Sequence, residues 1–141
     1  MDHLTLINSA RELESLVSGK KSMLAYGAWR KRLPVCDIHA GAKIFFALDS
    51  GVGFVMGQAL VKDAFSTQDF SRKKPKTLIS ANQSKLNFND KEIGTWAKKN
   101  HILFVELAQA CQLKPFAVNL GKLSRAKPLI PIGYLNQIRI S

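Results

Sequence analysis

Between residues 52 and 61 the chain alternates as a strand does, yet interrupts itself with glycine. Phe54, Met56 and Leu60 fall on one side, and Val55, Ala59 and Val61 on the other. Gly53 and Gly57 lie inside this run. Glycine within a strand marks a bend or the close approach of another group, and repeated bending is how a small sheet curls into a barrel. This stretch therefore constrains the fold to a curved sheet.

The flanking pattern supplies further strands and two helices. Residues 43–48, with Ile44, Phe45, Phe46 and Leu48, read as a buried strand, separated from the glycine-bearing one by the turn Asp49-Ser50-Gly51. Residues 3–7 and 101–107 read as strands, as does the middle of 20–34. In the late strand Glu106 falls opposite Val105, which turns it to the solvent face or, alternatively, into a cleft. Ser9 followed by Glu12 is a capping box and starts a helix over 10–18 that Gly19 ends. Asn89 with Glu92 starts a second helix over 90–99, whose inner stripe is Ile93, Trp96 and Ala97. Residues 62–89 read as polar and irregular. Pro115, Pro128 and Pro131 fit edge segments or extended loops, and residues 134–140 read as a strand that closes the sheet. The expected architecture is a single α+β domain over 1–141, a length that one hydrophobic core can organise.

Charge narrows the function. Lysine and arginine total 21 against 10 acidic residues, a net charge of +11. Such a surplus repels itself unless an anionic partner offsets it, and phosphates are the common partner because binding them releases condensed counterions. No basic amphipathic helix with an aromatic face suggests a membrane surface, and no apolar run is long enough for a spanning helix. The opening residues lack the pattern of a secretory signal. Cys36 and Cys111 have no CxxC spacing and read as small buried apolar residues. The expected location is the cytoplasm.

Three stretches carry candidate binding residues. Gly19-Lys20-Lys21-Ser22 places two ammonium groups and a hydroxyl at a helix end, suited to a phosphate or a base edge. It is not a Walker motif, and a solvated helix end is the plain alternative. Tyr26, Trp29, Arg30, Lys31 and Arg32 interleave aromatic and cationic groups, as unpaired bases require. Trp29 could equally anchor the core. Arg72, Lys73 and Lys74, beside Pro75 and Lys76, form a basic cluster suited to gripping phosphate or, equally, to solvation as a loop. His3, His39 and His101 show no ligand spacing, so neither a metal nor another cofactor is expected.

The order of these pieces resembles the PUA-like superfamily, and within it the ASCH and EVE-type domains. The resemblance spans nearly the whole chain. It rests on the 16–22 turn with Gly19 and Lys21 in a G-x-K motif, on 39–48, on the strand 52–61, and late in the chain on 101–107 and 113–116. The resemblance implies a mixed β pseudo-barrel with two or more flanking helices, and a cleft beside the Gly19-Lys20-Lys21 turn. Similar domains bind RNA or modified nucleobases, and some small ASCH members are amidohydrolases acting on acylated cytidine. The fuller motif of those enzymes has glutamate and arginine where this chain has Leu24 and Tyr26. The expectation is therefore binding of RNA, or of another single strand or a modified nucleotide, rather than catalysis. Lys20, Lys21 and Ser22 would contact the ligand, Tyr26 or Trp29 would stack, and Arg30, Lys31, Arg32, Arg72, Lys73 and Lys74 would hold phosphates. The alternatives are an amidohydrolase that uses Lys21 in the same cleft, and a scaffold for an acidic protein.

Overall fold

A computed structural model describes residues 2–7, 9–28, 38–48, 53–67, 75–99, 101–119 and 129–133. Six strands, β1 (Asp2–Ile7), β2 (Met23–Ala28), β3 (Lys43–Leu48), β4 (Gly53–Ser66), β5 (His101–Val118) and β6 (Leu129–Gly133), form one sheet. Its order is β2-β5-β4-β3-β1-β6. β1 runs parallel to β3, with Asp2 opposite Lys43 and Ile7 opposite Leu48. The other pairs are antiparallel. The helices are α1 (Ala10–Val17), α2 (Pro75–Ala81), α3 (Gln83–Leu86) and α4 (Asp90–Ala97).

Three register shifts between β4 and β5, and one between β3 and β4, bend the long strands. The curl is tight enough for β2 to meet β1 across the open side. The Tyr26 hydroxyl donates to Thr5 Oγ1 at 2.8 Å, although β5, β4 and β3 lie between their strands in the sheet. Gly57 supplies the close approach anticipated for it. A Cβ there would sit 2.8 Å from Leu13 Cδ1 and 3.1 Å from both Phe46 Cδ2 and the Cys111 carbonyl. Overpacking of that kind costs roughly 1–3 kcal/mol. The curled mixed sheet with its flanking helices is the α+β architecture that the resemblance implied.

The inner core joins α1 to the concave face through Leu13, Leu16, Phe46, Val61 and Val105. A second cluster covers the opposite face of β2 and β5, where Met23, Ile102 and Phe104 pack against Leu78, Ile79, Leu86 and Phe88. This second core corrects the reading of 62–89 as irregular. The stretch continues β4 to Ser66 and then supplies α2 and α3, whose few apolar residues are drawn inward.

β5 also outruns the expected 101–107. Beyond Leu107 it pairs with β4 alone among the described residues, so Pro115 sits on a sheet edge, where its missing N–H is tolerated. Pro131 lies in β6, the last strand in the sheet order. Cys111 is exposed rather than buried, because it lies on the edge half of β5, away from the core. Cys36 and the expected closing strand 134–140 lie outside the described residues.

Candidate functional site

Local signals set the two helices that frame the site. Ser9 Oγ accepts from Glu12 N at 3.3 Å and starts α1. Gly19 leaves it with φ +82°, a conformation glycine adopts without strain. The chain then turns back sharply, with Gly19 N donating to Leu16 O and Lys21 N to Ser15 O. At α4 the capping box is complete: Asn89 Oδ1 accepts from Glu92 N at 2.8 Å, and Glu92 Oε1 accepts from Asn89 N at 3.2 Å.

Between these helices, where β2 approaches β1, lies a cleft of about 660 Å³. Its walls are the end of β1, the Ser9–Ser15 face of α1, the middle of β2 and the residues Glu92, Trp96 and Lys99 of α4 and its C-terminal end. Lys21 reaches in from the turn. Trp96 stacks on Phe88, with centroids 5.8 Å apart and planes at 13°. The Lys21 ammonium lies 5.3 Å from the Phe88 centroid, and that of Lys99 lies 5.0 Å from the Trp96 centroid. Arg11, Lys21 and Lys99 share the cavity lining with Glu12 and Glu92, so the cleft holds charge of both signs. A cavity of this size admits a nucleoside-sized ligand. Paired aromatic rings with ammonium groups over them suit a flat, electron-rich ring attached to an anion.

The expected site residues divide. Lys21 lines the cleft, which opens beside the Gly19-Lys20-Lys21 turn. Lys20 is exposed on that turn and is not part of the wall. Ser22 lines a second depression of about 270 Å³ with Gly19, Gln109 and Lys21, which borders both cavities. The Ser22 backbone is held there, because Ser22 N donates to Lys85 O and Ser22 O accepts from Leu107 N, each at 2.8 Å. Ser22 is therefore not part of the wall of the larger cleft. Tyr26 lines the cleft but is only 5% exposed, with its ring packed into the inner core. It is a wall residue hydrogen-bonded to Thr5 rather than an open stacking face. Trp29, Arg30, Lys31, Arg32, Arg72, Lys73 and Lys74 lie outside the described residues.

Sequence reasoning does not reach Trp96, Phe88 and Lys99 as site residues. The inner stripe expected of Trp96 on α4 holds, since it packs against the second core, but the same ring also faces the cleft. The available signal was the lysine three residues on, at the spacing that sets a cation over a ring on a helix face.

Glu106 corrects a different expectation. Its side chain is only 12% exposed and lies outside the cleft wall, so it is neither a solvent-facing nor a cleft carboxylate. Lys85 Nζ donates to Oε1 at 2.9 Å, and Lys62 Nζ lies 3.4 Å from Oε2. The hydrogen bond from Lys85 holds the carboxyl below its ordinary value of 4.5 against the opposing effect of burial, helped by the charges of Lys85 and Lys62. Among the described residues no group of three or more histidine, cysteine, aspartate or glutamate side chains could hold a metal ion. Among the same residues no helix is long and apolar enough to cross a membrane.

No protein-family model and no curated protein matches this sequence. Solved structures do match. The crystal structure of ASCH from Zymomonas mobilis is 19% identical with a TM-score of 0.65, covering 96% of this chain and 91% of that one. A serine-to-alanine mutant of that protein is 18% identical with a TM-score of 0.66, covering 96% and 92%. A tyrosine-to-phenylalanine mutant of it is 19% identical with a TM-score of 0.66, covering 96% and 94%. Likeness over nearly the full length of both chains, joined to a curled mixed sheet with flanking helices, identifies the fold of this chain as the ASCH form of the PUA-like pseudo-barrel.

Proposed function

We propose that this chain binds single-stranded RNA, holding one base, plain or modified, in the cleft between α1 and α4. The observation that carries this reading is the conjunction of stacked Phe88 and Trp96 rings with the Lys21 and Lys99 ammonium groups in one nucleoside-sized cavity. Phe88 is buried and backs the stack, so the half-buried Trp96 is the ring of the pair that a base would meet. Lys21, at the cleft wall, would meet the phosphate or ribose of that nucleotide. The chain's net charge of +11 supplies the longer-range attraction. Two basic runs extend the contact to neighbouring phosphates: Trp29 to Arg32 follows directly on β2, and Arg72 to Lys74 runs up to the start of α2.

The test is a titration of fluorescein-labelled single-stranded RNA, followed by anisotropy at several salt concentrations. Binding weakens as salt rises, with a log–log slope of about −0.7 for each phosphate neutralised. Trp96→Ala weakens it by about 1–3 kcal/mol, the value of one base–aromatic stack. Undiminished binding by Trp96→Ala would move the site elsewhere on the surface. Turnover of an acylated nucleoside, lost in Lys21→Ala, would replace the binding reading with an amidohydrolase. Binding of an acidic protein with none of RNA would replace it with a scaffold.

A further inference from the structure

Side chains alternate along a strand, so consecutive residues line one cavity only where that cavity meets the strand's edge. Leu24, Ala25, Tyr26 and Gly27 line the cleft in this way on β2. β2 ends the sheet and is hydrogen-bonded only to β5 among the described strands. The phase of that ladder follows from Ile102, which lies opposite Gly27 and turns both backbone groups away from β2: its N–H donates to Thr67 Oγ1 and its carbonyl accepts from Thr67 N. In an antiparallel pair, alternate residues direct both backbone groups at the partner. Counting from this pair, Leu24 and Tyr26 face β5, while Ala25 and Gly27 turn their N–H and C=O groups the other way, into the cleft. No hydrogen bond among the described residues reaches Ala25 or Gly27 on that side.

The slot continues the plane of the sheet. Tyr26 packs in the inner core with α1, and Ala25 packs in the second core with α4, so the two helices flank the strand edge. Gly27 allows the α4 side to close down. A Cβ at this position would lie 3.1 Å from Trp96 Cζ3 and would overlap the Lys99 chain. A flat ring in the slot would therefore lie edge-on to β2 with Trp96 beside one face.

We infer that the exposed backbone of β2 at Ala25 and Gly27 reads the base bound in this cleft, an inference that rests on the nucleic-acid reading above. The Ala25 carbonyl and the Gly27 N–H form an acceptor–donor pair. A nucleobase presents the complement, a ring nitrogen beside an amino or carbonyl group, on its Watson–Crick edge. The base docks as the next strand would, through main-chain hydrogen bonds. An unpaired base is required, because pairing occupies that edge.

Four labelled homopentanucleotides, of A, C, G and U, are titrated against the full chain. The tightest is then compared with its counterpart methylated on the Watson–Crick ring nitrogen of the central base. A second protein carries a main-chain ester at residue 27, which replaces the N–H by oxygen and adds no side chain. Methylation is expected to weaken binding about tenfold, the loss expected when a buried hydrogen-bonding edge is blocked. The ester is expected to weaken the parent oligonucleotide several-fold without a matching fall in melting temperature. Equal binding of methylated and parent strands would overturn backbone readout and leave the nucleic-acid function standing. A methyl effect that the ester does not reproduce would also overturn it, assigning the base edge to side chains. Failure of all four pentanucleotides to bind would remove the nucleic-acid reading and this inference with it.

Discussion

Lys21 lies in the turn at residues 19–22 and Lys85 is hydrogen-bonded to it through its carbonyl, and the fold uses the two lysines in opposite ways. Lys85 donates to a carboxylate that is mostly covered, and its own backbone carbonyl holds Ser22 N. Lys21 lies over the Phe88 ring and has no carboxylate within ion-pair distance among the described residues. One cation ties α3 to β5, and the other is left facing a cavity. A net charge counts the two equally, but only the second is available to a ligand. The useful quantity is therefore the charge that remains after internal pairing.

The contrast breaks most visibly through Lys85. Lys85→Ala leaves the Glu106 carboxylate with Lys62 alone, and a covered acceptor that loses its best donor costs about 1–2 kcal/mol once the partial exposure of both lysines is allowed for. In a domain of this size that lowers the melting temperature by roughly 3–6 °C, read by thermal denaturation. An unchanged melting temperature would mean that the pair is as dispensable as a surface bridge.

Lys21→Ala is the mirror experiment. It is expected to weaken RNA binding by about 1 kcal/mol and to reduce the salt slope by about 0.7, with the melting temperature unmoved. A fall in stability comparable to that of Lys85→Ala would erase the distinction between the two lysines.

The smallest effect sharpens the contrast through pH. The folded carboxyl of Glu106 titrates below its ordinary 4.5. Its stabilising contribution is therefore complete above that value and disappears as the pH falls through it toward the lowered folded value. Acid denaturation profiles of the protein and of Lys85→Ala should converge below this window and separate above it, by less than about 1–2 kcal/mol. Parallel profiles across the whole range would assign the acid sensitivity to other carboxylates.

The parts of this fold that were legible in the sequence are those determined locally. Ser9 and Asn89 mark helix starts because a cap is a contact three residues long. β3 occupies 43–48 as expected because its apolar run is continuous and bounded by turns. The lengths of β4 and β5 were not legible, since both continue through bulges into residues with no alternating pattern. α2 and α3 escape a sequence reading because Leu78, Ile79 and Leu86 are too few to display a helical period on their own. The lining of the candidate cleft was half legible. Lys21 followed from the turn, whereas Trp96 was hidden because an aromatic residue on an inner stripe looks the same whether it meets a core or a cavity wall. Tyr26 shows the reverse: its place among interleaved aromatic and cationic residues suggested a stacking face, but its parity on β2 sends it inward. The backbone edge of β2 could not have been read at all, since main-chain groups leave no mark on residue identity.

The pairing of β1 with β6 has a consequence for how the chain is made. Asp2 lies opposite Gly133, so the earliest of the described strands to leave the ribosome is flanked by the last of them. β1 gains its other neighbour, β3, once residue 48 has emerged. Throughout the intervening synthesis one margin of the growing sheet stays unsatisfied. Contacts so distant along the chain slow folding and prolong exposure to association with other nascent chains. The proline at position 131 suits this late arrival, since a strand that cannot offer a full ladder is a poor template for a stranger.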